Sequence, residues 1–111
     1  MPVVRVDAYR TVGFAAITAS FTTVGTALTH NWRAVKFTNN TNGNLIISLD
    51  GSTNNIFVPA NSFTLYDITA NTDTDNSTAL VFAIGTQFYV KYSTAPTSGD
   101  LYIEGFYQQG Q

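Results

Sequence analysis

The chain contains no cysteine. Disulfides, thiolate nucleophiles and Cys-ligated zinc or iron–sulfur centres are therefore excluded. It is also poor in charge: Asp, Glu, Lys and Arg make up 11% of the 111 residues, against about 25% in typical soluble domains. The five basic residues, Arg5, Arg10, Arg33, Lys36 and Lys91, are scattered and the net charge is -2. Phosphate neutralisation needs clustered cations, so nucleic acid is not an expected partner. No stretch approaches the ~20 consecutive apolar residues of a membrane helix, and a membrane is not expected either. The opening MPVVRVDAYR has no apolar run of the signal-peptide kind. The expectation is synthesis in a cytosol, which leaves little weight on the glycosylation patterns at Asn39-Asn40-Thr41 and Asn76-Ser77-Thr78.

Apolar and aromatic side chains are plentiful instead. Hydrophobic residues are 44% of the chain, with Phe 8 and Tyr 6, and a chain of this size buries roughly 60–70% of its unfolded surface as one domain. Thr, Asn and Ser take the place of the missing charges, which suits strands and turns better than exposed helices. The periodicity agrees. Arg33, Val35 and Phe37 alternate with Ala34, Lys36 and Thr38; Leu45, Ile47 and Leu49 with Ile46, Ser48 and Asp50; Phe88, Val90 and Tyr92 with Tyr89, Lys91 and Ser93; Leu101, Ile103 and Gly105 with Tyr102, Glu104 and Phe106. A period of two puts one row of each strand against a core. Strands are expected near 12–18, 21–29, 32–39, 44–50, 54–58, 62–69, 79–84, 86–93 and 101–108. Asn42-Gly43 reads as a type I′ hairpin turn, Asp50-Gly51 as a second turn, and Pro59-Ala60-Asn61 as a strand break. The fold class is all-β: an antiparallel β-sandwich, jelly-roll-like, with an immunoglobulin-like sandwich as the second variant. Residues 1–11 read as an N-terminal arm that docks on its own domain or on a neighbour, and residues 12–111 as the single sandwich domain.

Chemistry-bearing residues are few. His30, in "THNWRA", is the only histidine, and no serine sits in a G-x-S-x-G setting. Glu104 is the only glutamate; Asp7, Asp50, Asp67 and Asp100 are its candidate partners for acid–base work, although Asp50, Asp73 and Asp100 sit beside Gly, Thr or Ser as turn formers do. "DTDN" at 73–76 resembles the start of a calcium loop, but the sixth and twelfth places hold Thr78 and Ile84 where an EF-hand needs Gly and Glu. No catalytic, metal or cofactor residue is therefore assigned, and the chain is not expected to be an enzyme. Trp32, Tyr66, Tyr89, Tyr92, Tyr102 and Tyr107 could form a sugar-stacking platform or anchor a protein interface. The apolar arm and the tyrosines opposite the apolar rows give the candidate interface: Val3, Val4, Arg5, Val6, Tyr9, Tyr89 and Tyr102.

Five segments, Arg33–Thr41 (RAVKFTNNT), Leu45–Gly51 (LIISLDG), Ile56–Phe63 (IFVPANSF), Gly85–Lys91 (GTQFYVK) and Ser98–Glu104 (SGDLYIE), give the chain after residue 30 a texture that resembles the small β-sandwich virion proteins of tailed bacteriophages, the capsid decoration or cement proteins above all. The resemblance implies a structural role on the outside of a capsid, with the major capsid protein or other virion proteins as partners and a homo-oligomer as the working form. A head–tail or tail accessory protein is the nearest alternative. A carbohydrate-binding β-sandwich module is the alternative from another class.

Overall fold

The computed structural model describes residues 4–67 and 82–108. Among them are nine strands and one short 3-10 turn: β1 Val4–Val6, β2 Arg10–Gly13, the turn Phe14–Ala16, β3 Thr22–Thr23, β4 Trp32–Asn39, β5 Leu45–Ser48, β6 Ile56–Val58, β7 Ser62–Asp67, β8 Tyr89–Tyr92 and β9 Asp100–Gln108. They form two antiparallel sheets. In sheet A the order is β2-β9-β4-β7, with β1 extending the β2 edge along the far half of β9; sheet B runs β3-β8-β5-β6. Among the described strands from β2 to β9, only β5 and β6 are joined as a hairpin within one sheet; the other consecutive pairs lie in different sheets. That order, four strands facing four, is a jelly roll, and no open edge is left at β9.

The alternating rows meet between the sheets. Val35, Phe37, Leu101 and Ile103 from sheet A pack on Leu45, Ile47, Val58, Phe88 and Val90 from the other side, all essentially inaccessible to water. Trp32 is the largest buried side chain and rings with Phe88 at 5.9 Å. It enters the core through a register irregularity between Trp32 and Ala34. A bulge of this kind places two residues against one, so Trp32 and Val35 both face inward. The expected row of Arg33, Val35 and Phe37 is corrected accordingly: Trp32 takes the core place that strict alternation gave to Arg33. Room for the indole comes from Gly105 on β9, where an added Cβ would overlap the Trp32 ring.

The Asn42-Gly43 hairpin is also overturned. β4 belongs to sheet A and β5 to sheet B, and neither Asn42 nor Gly43 has positive φ, which a type I′ turn requires at both places. The segment crosses between sheets, and Gly43 is there because a Cβ would collide with the backbone of Thr94 and Pro96. Asp50-Gly51 does lie in the turn between the paired strands β5 and β6, with Gly51 at φ 84. Pro59-Ala60-Asn61 joins β6 to β7 across the sheets, with Asn61 at φ 55. The strand expected over 12–18 stops at Gly13 and gives way to the 3-10 turn, and that expected over 21–29 is reduced to Thr22–Thr23. Half of the expected strand 79–84, residues 79–81, lies outside the described residues; within them, Phe82 forms an isolated bridge to Trp32 and no strand runs over 82–84. The DTDN segment, the Asn76 pattern and Val3 also lie outside the described residues.

The expected arm is woven into sheet A. Val4–Val6 pair with Phe106–Gln108 and Arg10–Gly13 with Asp100–Ile103. Among the described residues no helix is long and apolar enough to cross a membrane.

Candidate protein-contact face

Antiparallel partners point to the same face, so the register fixes what sheet A presents to solvent. One row across the sheet reads Thr11 on β2, Tyr102 on β9, Thr38 on β4 and Phe63 on β7. The next reads Glu104, Lys36 and Leu65, and the third Val6, Phe106, Ala34 and Asp67, with Ala34 itself buried at 7% exposure. Val6 is 69% exposed, Tyr9 60%, Phe63 60%, Leu65 54% and Phe106 42%. Tyr9, between β1 and β2, meets Tyr102 edge to face at 5.7 Å. With ~200 Å² per aromatic side chain, the apolar surface left open on this face is on the order of 500 Å². That is at the upper end of what a soluble monomer exposes in one patch, and patches of that size mark contact surfaces. The centre of the face is charged: Lys36 and Glu104 sit opposite each other on adjacent strands, and the Lys36 ammonium lies 4.8 Å from the Phe63 ring centroid. Asp100 accepts a long hydrogen bond from the Tyr102 hydroxyl, 3.4 Å, and its negative charge raises the phenol pKa.

Of the interface residues expected from sequence, Val6, Tyr9 and Tyr102 come together here. Val4 contributes backbone pairing to Gln108. Arg5 is exposed at the sheet edge, in register with Tyr107 in the inward row. Tyr89 lies on the outer side of sheet B, half-buried with Gly51 folded against it, where a Cβ would touch the ring at 3.3 Å. Phe63, Leu65 and Phe106 were not singled out from sequence, although each alternates with a residue of the inward row. Tyr9 and Tyr102 cross at 68°, which gives no flat two-ring platform for a sugar.

Of the residues weighed for catalysis, His30 and Asp50 have structural partners of their own. His30 stacks on Tyr107 at 3.8 Å, nearly parallel. Asp50 caps its own turn: the backbone amides of Ser52 and Thr53, then the hydroxyls of Thr53 and Ser48, donate to its carboxylate and hold its pKa well below the usual carboxylate range. Glu104 is out on the face of sheet A. Among the described residues no group of three or more His, Cys, Asp or Glu side chains gathers as a metal site.

Two buried polar clusters hold the frame that carries the face. Near the N-terminus, the Asp7 carboxylate accepts from Trp32 Nε1 at 2.9 Å, from Arg10 Nη1 at 3.3 Å and from the Ala8 amide at 2.8 Å. Burial opposes ionisation of Asp7, but these donors outweigh it and its pKa is lowered. Arg10, 7% exposed, also donates to the carbonyls of Ala8, Thr26 and Ala27, and its guanidinium lies over the Trp32 ring at 5.0 Å. An open groove of about 470 Å³ runs beside it, lined by Asp7, Tyr9, Thr11 and Thr29 among others. At the opposite end Asn39, 1% exposed, ties two crossovers together: its amide donates to the carbonyls of Gly43, Val58 and Pro59 and accepts from Thr41. An Asn so enclosed is not a glycan acceptor.

No protein-family model, curated protein or solved structure matches this chain.

Proposed function

We propose that this chain is a structural, non-catalytic β-sandwich that works by protein–protein contact, and that it serves as a capsid cement protein of a tailed phage. The observation that supports the reading is the apolar face of sheet A, where Val6, Tyr9, Phe63, Leu65 and Phe106 are exposed around the half-buried Tyr102 on a cross-paired sheet. Aromatic anchors on a preorganised surface lose little side-chain entropy on docking. A low charge density also lowers the desolvation cost of covering the face. The virion setting itself comes from the segment resemblance described above, and the partner it implies is the major capsid protein. Many weak copies acting on a repeating lattice gain by avidity, so no single contact has to be strong.

The test is occupancy. Particles are made from the encoding genome with this gene intact and with it interrupted, then compared by quantitative mass spectrometry and by thermal release of DNA. The reading expects copy numbers on the scale of the major capsid protein, and heads that rupture at lower temperature when the gene is interrupted. A few copies per particle would move the chain to the head–tail connector or tail. Absence from purified particles overturns the virion role.

A further inference from the structure

The outer face of sheet A is patterned to fit itself. Its two central strands, β4 and β9, carry opposite charges at one level, Lys36 against Glu104. On either side of that level β9 carries a large residue where β4 carries a small one: Tyr102 beside Thr38, and Phe106 beside Ala34. On the outer strands Phe63 on β7 repeats the contrast at the level of Thr11 on β2, while at the Phe106–Ala34 level Asp67 on β7 stands across from Val6 on β1.

We propose that this face is covered by a second copy of the same chain, related by a two-fold axis that lies in the interface, parallel to the strands and between β4 and β9. That operation exchanges the positions of β4 and β9 between copies. Lys36 then lies over Glu104 of the second copy, and Glu104 over its Lys36. Tyr102 comes over Thr38 and Phe106 over Ala34, each large side chain above a small one, twice. Phe63 reaches the Thr11 and Tyr9 region of the other copy. A two-fold interface must be self-complementary in this sense, and opposite charges facing each other select register where apolar contacts alone do not. The face spans roughly 20 Å by 20 Å and offers on the order of 400–600 Å² per copy, the lower end of the range for specific interfaces, which suits a dimer that forms and dissociates over a micromolar series. The proposal rests on the protein-contact reading of the face and gives that face to the second copy, so contact of the dimer with a capsid falls to the loop ends of the sandwich.

The experiment is sedimentation equilibrium of the full chain over a micromolar concentration series, with Lys36→Glu, Glu104→Lys and an equimolar mixture of the two variants. Wild type is expected at twice the 12.0 kDa chain mass. Each single reversal places like charges over one another at two points and is expected to weaken dimerisation at least about tenfold. The mixture is the decisive arm. A Lys36→Glu copy facing a Glu104→Lys copy has opposite charges at both crossing points, so the heterodimer is restored. Repulsion within a copy is unchanged by mixing and cannot produce that result. Circular dichroism checks that each variant is folded. A wild type that stays monomeric, single variants that dimerise as wild type does, or a mixture that fails to recover the dimer overturns the proposal. A monomer that still fills its sites on heads overturns the dimer and leaves the capsid role standing. A dimer absent from heads overturns the capsid role alone.

Discussion

Asn39 is where one atom-level change should cost the fold most. The two N–H groups of its side-chain amide are shared among three carbonyl oxygens, Gly43 at 2.8 Å, Val58 at 3.0 Å and Pro59 at 3.1 Å. Its oxygen accepts from the Thr41 amide at 2.9 Å and the Thr41 hydroxyl at 2.6 Å. Three acceptors on one side and an N–H on the other fix the orientation of the amide. The residues it joins are 4 and 20 positions away, on the β4–β5 and β6–β7 crossovers. Replacement by alanine leaves buried groups without partners, each worth about 1–3 kcal/mol when unsatisfied. With partial relaxation and some water entry the expected loss is about 3–5 kcal/mol, a large share of the 5–15 kcal/mol typical of a domain. Asn39→Asp keeps both acceptor bonds but turns the carbonyl contacts into repulsion of a buried charge, and should be at least as damaging at neutral pH. Urea unfolding followed by Trp32 fluorescence reads both, since Trp32 is the single tryptophan. A loss under about 1 kcal/mol for Asn39→Ala, or an Asn39→Asp variant as stable as wild type, would refute the role given to this hub.

Gly105→Ala forces a methyl into the Trp32 ring and is expected to lower stability by about 1–3 kcal/mol, seen as a lower urea midpoint; an unchanged midpoint would contradict the packing described. For Asp7 the folded pKa lies below the ordinary 3.8, so its ionised form adds stability above that pH, lost as pH falls through the folded value. The stability gap between wild type and Asp7→Asn should therefore be wider at pH 7 than at about pH 3, and a gap that does not change with pH counts against the Arg10 and Trp32 contacts. Deleting residues 1–10 removes β1, Asp7 and Arg10, strips partners from β9 and leaves Trp32 Nε1 without its acceptor. Its expected effect is a protein that unfolds at markedly lower denaturant, so any lost attachment to particles would report on folding; wild-type unfolding of the deletion would show that the arm only rests on the sheet.

Much of the frame can be read along the chain. The alternating sets at 45–49, 88–92 and 101–105 are the inward rows of β5, β8 and β9 and their flanks, because a strand turns successive side chains to opposite faces whatever it pairs with. The same rule put Tyr102 and Tyr89 outside. It failed where a non-local contact set the local geometry. Trp32 displaced Arg33 from the core row because Gly105, on another strand, leaves room for the indole. Asn42-Gly43 has the composition of a hairpin, yet Asn39 and Asn44 hold the segment to other loops. Asn44 Oδ1 accepts from the Ala60 amide at 3.0 Å, and the Asn42 side chain pairs with Thr97. The contact face was half legible: Tyr102 stands out opposite an apolar row and Val6 and Tyr9 as apolar residues of the arm, whereas Phe63, Leu65 and Phe106 gain meaning only once β7, β4, β9 and β1 are neighbours.

The sequence by itself determined the class: no cysteine, little charge, abundant aromatic and β-branched residues and a repeated period of two lead to a sandwich of antiparallel strands. Those properties are local and hold for any partner strand. The tertiary structure alone decided which strands share a sheet, that an arginine ten residues from the start is buried over the tryptophan, and that opposite charges and alternating large and small side chains line one face. Pairing in a jelly roll joins residues nearly a full chain length apart, such as Val4 and Gln108, and no local window of sequence carries that information.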